Sequence, residues 1–351
     1  MAITLTALTD IFQLGFDDII DVRAPLEYAD DHIPGALSLP VLDDAERAEV
    51  GTIYKQVSPF KARKVGAALV AKNAALHLQG PLADKTGAWK PLVYCWRGGQ
   101  RSGSFASILH QIGWRVDTIA GGYKSWRGLV VKALYDTPVA SPVVVLDGNT
   151  GSAKTDILQL LPGLGLQVID LEGLARHRGS LFGHRPGGQP SQKAFEVALA
   201  LELAKLDPAR PVVVEAESSK VGDCRVPPQL WRAMVTAPRI AIAAPRAARA
   251  DYLTRAYADM VDDADRLAGV IEQLRQIHSH DQVDAWQRMA LEGAYTELAD
   301  SLMECHYDPR YEKHRERMAA ALVELPAARL GADDLPALAA SVAAEVARQA
   351  G

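Results

Sequence analysis

The chain has 351 residues, 48% of them hydrophobic and 23% charged, with a net charge of −5 at neutral pH. This length predicts two domains, because single hydrophobic cores usually stop growing before it is reached, and the composition excludes a disordered protein. No run approaches the ~20 apolar residues that cross a bilayer, and the first residues lack the basic stretch of a signal peptide, so we expect a cytoplasmic protein without membrane contact.

The three cysteines are far apart in the sequence. An odd and sparse set of this kind, Cys95, Cys224 and Cys305, argues against a disulfide framework and favours a reducing compartment. No Cys or His spacing is typical of a zinc site, so no structural metal is predicted. The net charge gives no overall sign of nucleic-acid binding, although such binding depends on local patches.

The first ~130 residues alternate short β-rich runs with helical segments, as in an α/β domain. Strands are predicted over residues 18–22, 36–39, 91–94 and 116–120, a helix over 102–112, and a long charged helical insertion over 43–73. Residues 134–142 are rich in proline and turn formers and are predicted to be a linker. We therefore place the first domain at residues 1–137.

The second domain is predicted over residues 138–351 and is also α/β. Its strands are expected at residues 143–146, 167–170, 211–215 and 240–243. From about Pro245 the chain is Ala-rich and is predicted to be mostly helical. The fold class is thus two α/β domains, the second with a helical C-terminal region.

Cys95 ends a buried strand and is followed by a Gly-containing turn and a helix. Backbone N–H groups of the turn and the positive end of the helix would favour a thiolate and any bound oxyanion. Gly98 and Gly99 permit the tight backbone that such a cradle needs. Arg97 and Arg101 add positive charge, and Arg101 could contact a phosphate-like anion through two hydrogen bonds. A structural core cysteine is the alternative, but it would not need these glycines and arginines.

A second anion cradle is predicted where a strand runs into a glycine-rich turn and a helix. Backbone N–H groups there would wrap a diphosphate, with Lys154 neutralising its charge and Thr155 able to face a magnesium ion. Ala153 replaces the last glycine of the phosphate-loop (P-loop) pattern, which is tolerable if it adopts helical angles. The alternative is a helix N-terminus with incidental glycines. The predicted diphosphate-binding residues are Gly148, Asn149, Thr150, Gly151, Ser152, Lys154 and Thr155.

Other polar groups follow the strands of the second domain. The acidic strand end at residues 214–218 could face a metal at the P-loop, or it could be a solvated strand end. Arg176, His177 and Arg178 form a local basic patch that could contact phosphates of RNA or of a small ligand. A solvated charged turn is an equally open interpretation of that patch.

The first domain also carries a set of short motifs around the Cys95 segment, at residues 21–23, 27–28, 32–36 and 121–126. In these motifs it resembles the rhodanese superfamily. Rhodaneses carry sulfur as a persulfide on the loop cysteine, which implies that role for Cys95. Here Arg101 lies six residues after Cys95, one later than is usual, and this spacing is also the signature of cysteine phosphatases. A longer loop is expected to hold a larger, tetrahedral anion.

The ordered set of motifs is similar to the bacterial tRNA 2-selenouridine synthase family. Its members carry matching residues at 50–56, 94–102, 148–155, 171–180 and 307–311. The resemblance implies a rhodanese-like domain joined to a P-loop domain, acting on the wobble 2-thiouridine of tRNA. It implies geranyl diphosphate and selenophosphate as co-substrates, with no tightly bound cofactor.

The family chemistry implies a role for each cradle. The P-loop would hold the diphosphate that leaves when the thiocarbonyl sulfur is geranylated. Cys95 would attack or carry selenium, while Arg97 and Arg101 hold the phosphate. Two alternatives stay open at this point. One is a rhodanese-fold cysteine phosphatase, and the other is a P-loop kinase or ATPase with an accessory sulfurtransferase domain.

Overall fold

The structure is a computed structural model that describes residues 1–315 and 321–350. The chain divides into two compact units, which are described separately. Unit 1 comprises Met1–Asp136 and Glu196–Ala204, and unit 2 comprises Thr137–Phe195 and the chain from Lys205 onward. Among the described residues, no helix combines the length and the apolar character that a bilayer span requires.

Unit 1 is built on a parallel five-stranded sheet with helices packed around it. The strands are β1 (Ala2–Ile3), β2 (Asp18–Asp21), β3 (Leu37–Ser38), β4 (Pro91–Tyr94) and β5 (Asp117–Ile119), in the order β1-β5-β4-β2-β3. The helices are α1 (Pro25–Asp30), α2 (Asp44–Gln56), α3 (Pro59–Gln79), α4 (Gln100–Ile112) and α5 (Gly122–Val131). The α/β class predicted for this part of the chain is confirmed.

The charged segment predicted to be helical forms two helices, α2 and α3. Asp43 begins α2 with a capping box, since its side chain accepts from the N–H of Glu46 and the Glu46 carboxylate accepts from the N–H of Asp43. Ser58 caps α3, and Pro59 occupies its first turn, where no N–H is needed. The interruption at Val57 and Ser58 is what separates the two helices.

The central strand β4 places Cys95 at the carboxyl edge of the sheet. All four of its residues are buried, because helices cover both faces of a parallel sheet. Val93 packs in one core with Phe105 and Leu109 of α4, and Cys95 belongs to the same cluster. The strand and the helix that flank the Cys95 turn are therefore anchored by shared apolar packing.

Unit 2 contains a second parallel five-stranded sheet and a small antiparallel pair. The strands are β6 (Val143–Asp147), β7 (Gln167–Ile169), β8 (Val212–Glu215), β9 (Lys220–Val221), β10 (Cys224–Arg225), β11 (Arg239–Ala243) and β12 (Leu322–Pro326). The large sheet has the order β12-β11-β6-β8-β7, and β9 pairs with β10. Strands β6 and β11 lie in its interior, so their carboxyl ends meet at one edge.

The helices of unit 2 include a long run after β11. They are α6 (Lys154–Leu160), α7 (Leu171–Ala175), α9 (Pro228–Thr236), α10 (Arg246–Ala256), α11 (Ala258–Val261), α12 (Ala264–Gln273), α13 (His280–Leu291), α14 (Tyr295–Leu302), α15 (Asp308–Arg315) and α16 (Leu335–Ala350). Helix α8 (Gln192–Ala204) begins in unit 2, and its residues from Glu196 onward belong to unit 1. In unit 1, a 3-10 turn lies at Asp10–Phe12 and a π-helical turn at Lys132–Asp136. In unit 2, 3-10 turns lie at Leu161–Leu164 and Leu274–Gln276, and a π-helical turn lies at Met303–Tyr307. Helices α12 to α14 share a core around Trp286.

The prediction of a mostly helical chain after Pro245 misses one strand. β12 pairs in parallel with β11, with Val323 opposite Ile240, and forms an edge of the large sheet. Helix α16 then packs Val342 and Val346 into the core that also contains Ile157 of α6. A five-residue strand on a sheet edge, flanked by Ala-rich segments, carries too little periodic pattern to be predicted from sequence.

Candidate functional sites

The Cys95 turn is joined to the start of α5 by close backbone contacts. The carbonyl of Cys95 accepts a hydrogen bond of 2.8 Å from the N–H of Tyr123. Gly98 and Gly122 have φ of +64° and +61°. A Cβ at Gly122 would lie 2.2 Å from the Cys95 carbonyl oxygen, and one at Gly98 would lie 2.5 Å from that of Ile119. Both glycines are therefore required for this approach of two backbone segments.

The Cys95 thiol lies in an environment that favours its ionised form. Its residue is 4% exposed, and the Ser102 hydroxyl lies 3.2 Å from the sulfur. Burial by itself raises the pKa of the thiol, but the Ser102 hydroxyl, the N–H groups of Ser102 and Gly99, and the charge of Arg101 together lower the pKa below its ordinary value. The geometry thus supports a nucleophilic thiolate at the position predicted from sequence.

The two loop arginines are placed differently. Arg97 is exposed, whereas Arg101 is half-buried and its guanidinium donates to Glu27 at 2.6 and 3.3 Å. Arg47 donates to the same carboxylate at 3.1 Å. Burial raises the pKa of Glu27, but its bonds to Arg101, Ala24 and Arg47 outweigh this and lower the pKa overall. Arg101 is therefore held beside the loop by a partner that the sequence does not reveal.

A buried ion pair lies close to this loop. Arg23 donates to Asp21 through Nη2 at 2.7 Å and Nε at 2.9 Å, and both residues are about 1% exposed or less. The Arg23 guanidinium stacks on the rings of Tyr123, at 4.0 Å, and Tyr94, at 5.7 Å. This part of the rhodanese-like signature thus has a structural role, since removing either charge would leave the other unpaired in the core.

The second cradle follows β6, as predicted. Gly148 and Gly151 have φ of +147° and +82°, and a Cβ at Gly148 would lie 2.3 Å from the Ser152 Oγ. Ala153 has φ of +58° and ψ of +27°. The condition that Ala153 should have right-handed helical angles is therefore not met. Ala153 adopts the left-handed conformation, which costs about 1–2 kcal/mol in a residue with a Cβ, and its buried methyl packs in the core around Ile157.

Lys154 folds back over the P-loop that precedes it. Its Nζ donates to the carbonyl of Gly148 at 2.7 Å and lies 5.5 Å from the centre of the Tyr311 ring. Burial lowers the pKa of Lys154, but Tyr311 and the acidic neighbours Asp147 and Glu172 raise it overall, so the ammonium is charged. An anion bound on this loop would replace the Gly148 carbonyl as its partner.

Two hydroxyls, one in the P-loop and one in the first turn of α6, differ in their hydrogen bonding. The Ser152 Oγ is buried and has no hydrogen-bond partner among the described residues. The Thr155 Oγ1 donates to Glu172 at 3.0 Å and lies 3.3 Å from Glu215. An unpartnered buried hydroxyl is costly unless something binds it. Ser152, which also lines the cavity over the P-loop, thus has a hydroxyl free to donate.

A clamp that sequence reasoning missed holds the loop from outside. Arg249 donates to the carbonyl of Thr150 at 3.0 Å and pairs with Asp308 at 2.7 and 2.9 Å. The Asn149 Nδ2 donates to the same carboxylate at 3.1 Å. Asp308 belongs to the aromatic and basic run at residues 307–311 that the family resemblance singles out, and this is the one signal that could have pointed to it.

Three carboxyl groups gather next to Thr155. Glu215 ends β8, and its Oε1 accepts from the N–H of Glu172 at 2.6 Å. Burial raises the pKa of Glu215 and Glu217 well above the ordinary range, and the nearby carboxyls add to the effect. Over residues 1–315 and 321–350, no group of three His, Cys, Asp or Glu side chains has a geometry that would hold a metal ion. Magnesium at Thr155 stays a prediction.

A cavity of about 670 Å³ opens over the P-loop. Basic and acidic side chains both line it. The basic ones are Lys154, Arg178, Arg185, Arg239 and Arg310, and the acidic ones are Asp147, Asp156, Glu172 and Glu217. Arg178 pairs with Asp259 at 2.8 Å. The buried Arg185 Nε has no partner in the described part of the chain. A cavity of this size, with basic side chains in its wall, suits an organic diphosphate.

The three residues of the predicted basic patch have different surroundings. Arg176 is exposed and adopts a left-handed φ of +51°. His177 is 3% exposed, and burial followed by the charge of His184 lowers its pKa. Arg178 faces the cavity. Contact of Arg176, His177 and Arg178 with RNA or phosphate stays a prediction, as do the roles of the two cradles.

Two family models match the chain. The model described as "tRNA 2-selenouridine synthase AAA domain" matches residues 141–325, and the model described as "Rhodanese-like domain" matches residues 4–129. The first covers unit 2 from before β6 to β12, and the second covers most of unit 1. The rhodanese-like and P-loop fold classes are confirmed.

Several similar proteins bear the same description, "tRNA 2-selenouridine synthase". One from Aeromonas salmonicida is 39% identical over 72% of this chain and 68% of its own length. One from Pseudomonas syringae pv. tomato is 35% identical over 86% of this chain and 89% of its own length. One from Chromohalobacter salexigens is 40% identical over 69% of this chain and 65% of its own length.

Proposed function

Because this chain belongs to the tRNA 2-selenouridine synthase family, we propose that it converts the wobble 2-thiouridine of tRNA to 2-selenouridine. The proposed route passes through an S-geranyl intermediate and uses geranyl diphosphate and selenophosphate as co-substrates, with no tightly bound cofactor. The observation that carries the proposal is the presence of two anion cradles of different kinds, the Cys95 turn in unit 1 and the P-loop in unit 2.

The first step takes place at the P-loop. The thiocarbonyl sulfur attacks C1 of geranyl diphosphate, an S–C bond forms, and the C–O bond to the diphosphate breaks. The diphosphate leaves with the bonding electrons, and the base loses its N3 proton. Lys154 and the free Ser152 hydroxyl supply positive charge and a donor where negative charge develops. The sulfur becomes a better leaving group for the second step.

The second step takes place at the Cys95 turn. Selenium in selenophosphate is already at the selenide level, so its transfer to Cys95 as a perselenide would need an oxidant. Attack of the Cys95 thiolate on phosphorus needs none. An S–P bond forms, the P–Se bond breaks, and hydrogen selenide leaves. Selenide then adds at C2 of the base, the C2–S bond breaks with loss of geranylthiol, and N3 regains a proton.

The side chains around Cys95 suit this attack. Arg97 and Arg101, with the N–H groups of the turn, would hold the phosphoryl oxygens. Arg101 would exchange one or both of its bonds to Glu27 for bonds to the anion. Water then hydrolyses the S-phosphocysteine and regenerates the thiolate. This assigns Cys95 to attack, and not to carriage of selenium.

The proposal is tested by mass spectrometry of tRNA nucleosides after incubation with geranyl diphosphate and then with selenophosphate. Cys95→Ala should abolish selenouridine but leave S-geranyl thiouridine, and Lys154→Ala should reduce geranylation. Cys305→Ser, at an exposed cysteine of unit 2, is the matched control and should retain both steps. Selenouridine formation by Cys95→Ala would refute the role of the thiolate. Equal loss of S-geranyl thiouridine and selenouridine in that variant would refute the assignment of the two steps to separate sites.

A further inference from the structure

A second cavity lies beside the P-loop cavity in unit 2. Its volume is about 80 Å³. Five residues line both cavities, so the two lie side by side, with the shared residues forming the boundary: Thr150, Ser180, Leu253, Tyr257 and Tyr307. Thr150 belongs to the P-loop itself. The second cavity therefore begins next to the predicted diphosphate.

The remaining wall of the second cavity is apolar. It comes from the segment before α8, from α10, α11, α12 and α14, and from the turn after α14, and its buried members include Phe182, Met260, Leu267, Leu298, Leu302 and Met303. A surface of this kind offers few of the two to four polar partners that an ordered water molecule needs. It is suited to hydrocarbon and not to a second charged group.

The boundary between the cavities is aromatic and hydroxylated. The hydroxyls of Ser180 and Tyr257 lie 3.1 Å apart, and the Tyr307 side chain completes this boundary. Protein interiors leave few voids larger than a water molecule. The two cavities therefore place an apolar space next to the space that Lys154 and the P-loop line.

We propose that this cavity binds the distal hydrocarbon end of an allylic diphosphate whose diphosphate lies on the P-loop. The inference rests on the proposed function and adds the site that measures chain length. A cavity of about 150 Å³ admits benzene, so the 80 Å³ here has room for roughly three or four carbon atoms. That is the branched end of a second isoprene unit, which a C5 chain lacks and beyond which a C15 chain would extend.

The test uses one substitution that narrows the cavity and one that widens it, and measures how each changes the preference for the length of the allylic diphosphate. Ala299→Leu adds a branched side chain at the wall. It should lower kcat/KM for geranyl diphosphate on the order of a hundredfold, since each buried carbon contributes a factor of about four. Activity with dimethylallyl diphosphate should stay within about threefold. Leu302→Ala should instead raise activity with farnesyl diphosphate.

Controls separate the outcomes. Ala285→Leu makes the same change on α13 away from the cavity and should leave chain-length preference unchanged. Binding of inorganic diphosphate, measured by calorimetry, should be the same in all variants, which also reports that unit 2 is folded. Loss of all chain lengths together in Ala299→Leu, with diphosphate binding retained, would overturn the inference, and so would an unchanged preference in both variants. If the parent protein alkylates tRNA with none of the three diphosphates, the proposed function itself fails.

Discussion

Replacing Ser102 by alanine should raise the pKa of the Cys95 thiol by about one to two units. The Ser102 side chain is fully buried and places its hydroxyl 3.2 Å from the sulfur. A hydrogen bond to a charged group contributes about 1.5–3 kcal/mol, and one pKa unit corresponds to about 1.4 kcal/mol. The N–H groups of Ser102 and Gly99 and the charge of Arg101 stay in place, so part of the lowering should persist.

The pKa can be read from the rate at which iodoacetamide alkylates Cys95 across a pH series. Cys224→Ser and Cys305→Ser are introduced first, so that only one thiol reacts. At a pH below both pKa values the Ser102→Ala protein should react about 10 to 100 times more slowly, because each pKa unit removes about nine tenths of the thiolate.

Ser107→Ala is the matched control for this measurement. Its hydroxyl donates to the carbonyl of Gly103 in the same helix, α4, and is exposed. The midpoint of the alkylation profile should not move in this variant. A midpoint in Ser102→Ala equal to or below that of the parent would refute the assignment of the hydroxyl as a donor to the thiolate.

Three further changes have defined outcomes. Lys154→Ala should weaken inorganic diphosphate binding about 10- to 100-fold by calorimetry, and unchanged affinity would contradict its role. Ala153→Gly should leave the free energy of unfolding within about 0.5 kcal/mol, because relief of the left-handed backbone is cancelled by the lost buried methyl and the added unfolded-state entropy. A denaturant titration showing a change above about 1.5 kcal/mol would refute this balance. Since burial raises the pKa of Glu217 well above its ordinary value, its ionisation destabilises the folded state as pH rises above that ordinary value. Glu217→Gln should therefore raise Tm by an amount that grows with pH, whereas a pH-independent gain, or the same trend in exposed Glu292→Gln, would count against the argument.

The Cys95 turn and the P-loop are predictable because their signals are local. A strand, a glycine-containing turn and a helix follow one another within a dozen residues. Gly98 and Gly148 have positive φ, and glycine is the residue type that adopts such angles most readily. The sequence therefore predicts the place of both cradles and the nucleophile. It does so from chain neighbours alone, before any long-range contact is known.

The features of the two sites that the sequence does not predict depend on contacts between residues far apart in the chain. Arg249 and Asp308 are 59 residues apart, and Arg101 and Glu27 are 74 apart, so no pattern in one segment reveals either pair. Ala153 shows a different limit. A residue with a Cβ is expected to avoid positive φ, and only the surrounding packing explains why this one does not.

The position of β12 and α16 has a consequence for biosynthesis. They are made after every other element of unit 2 that the structure describes, yet β12 pairs along the full length of β11 and α16 covers α6, the helix that carries the P-loop lysine. Until they emerge from the ribosome, β11 presents an open, apolar edge and the outer face of α6 is uncovered. The nascent chain is thus exposed to off-pathway association over this interval, and pulse-proteolysis of stalled chains should show the P-loop helix becoming protected only when α16 has been released.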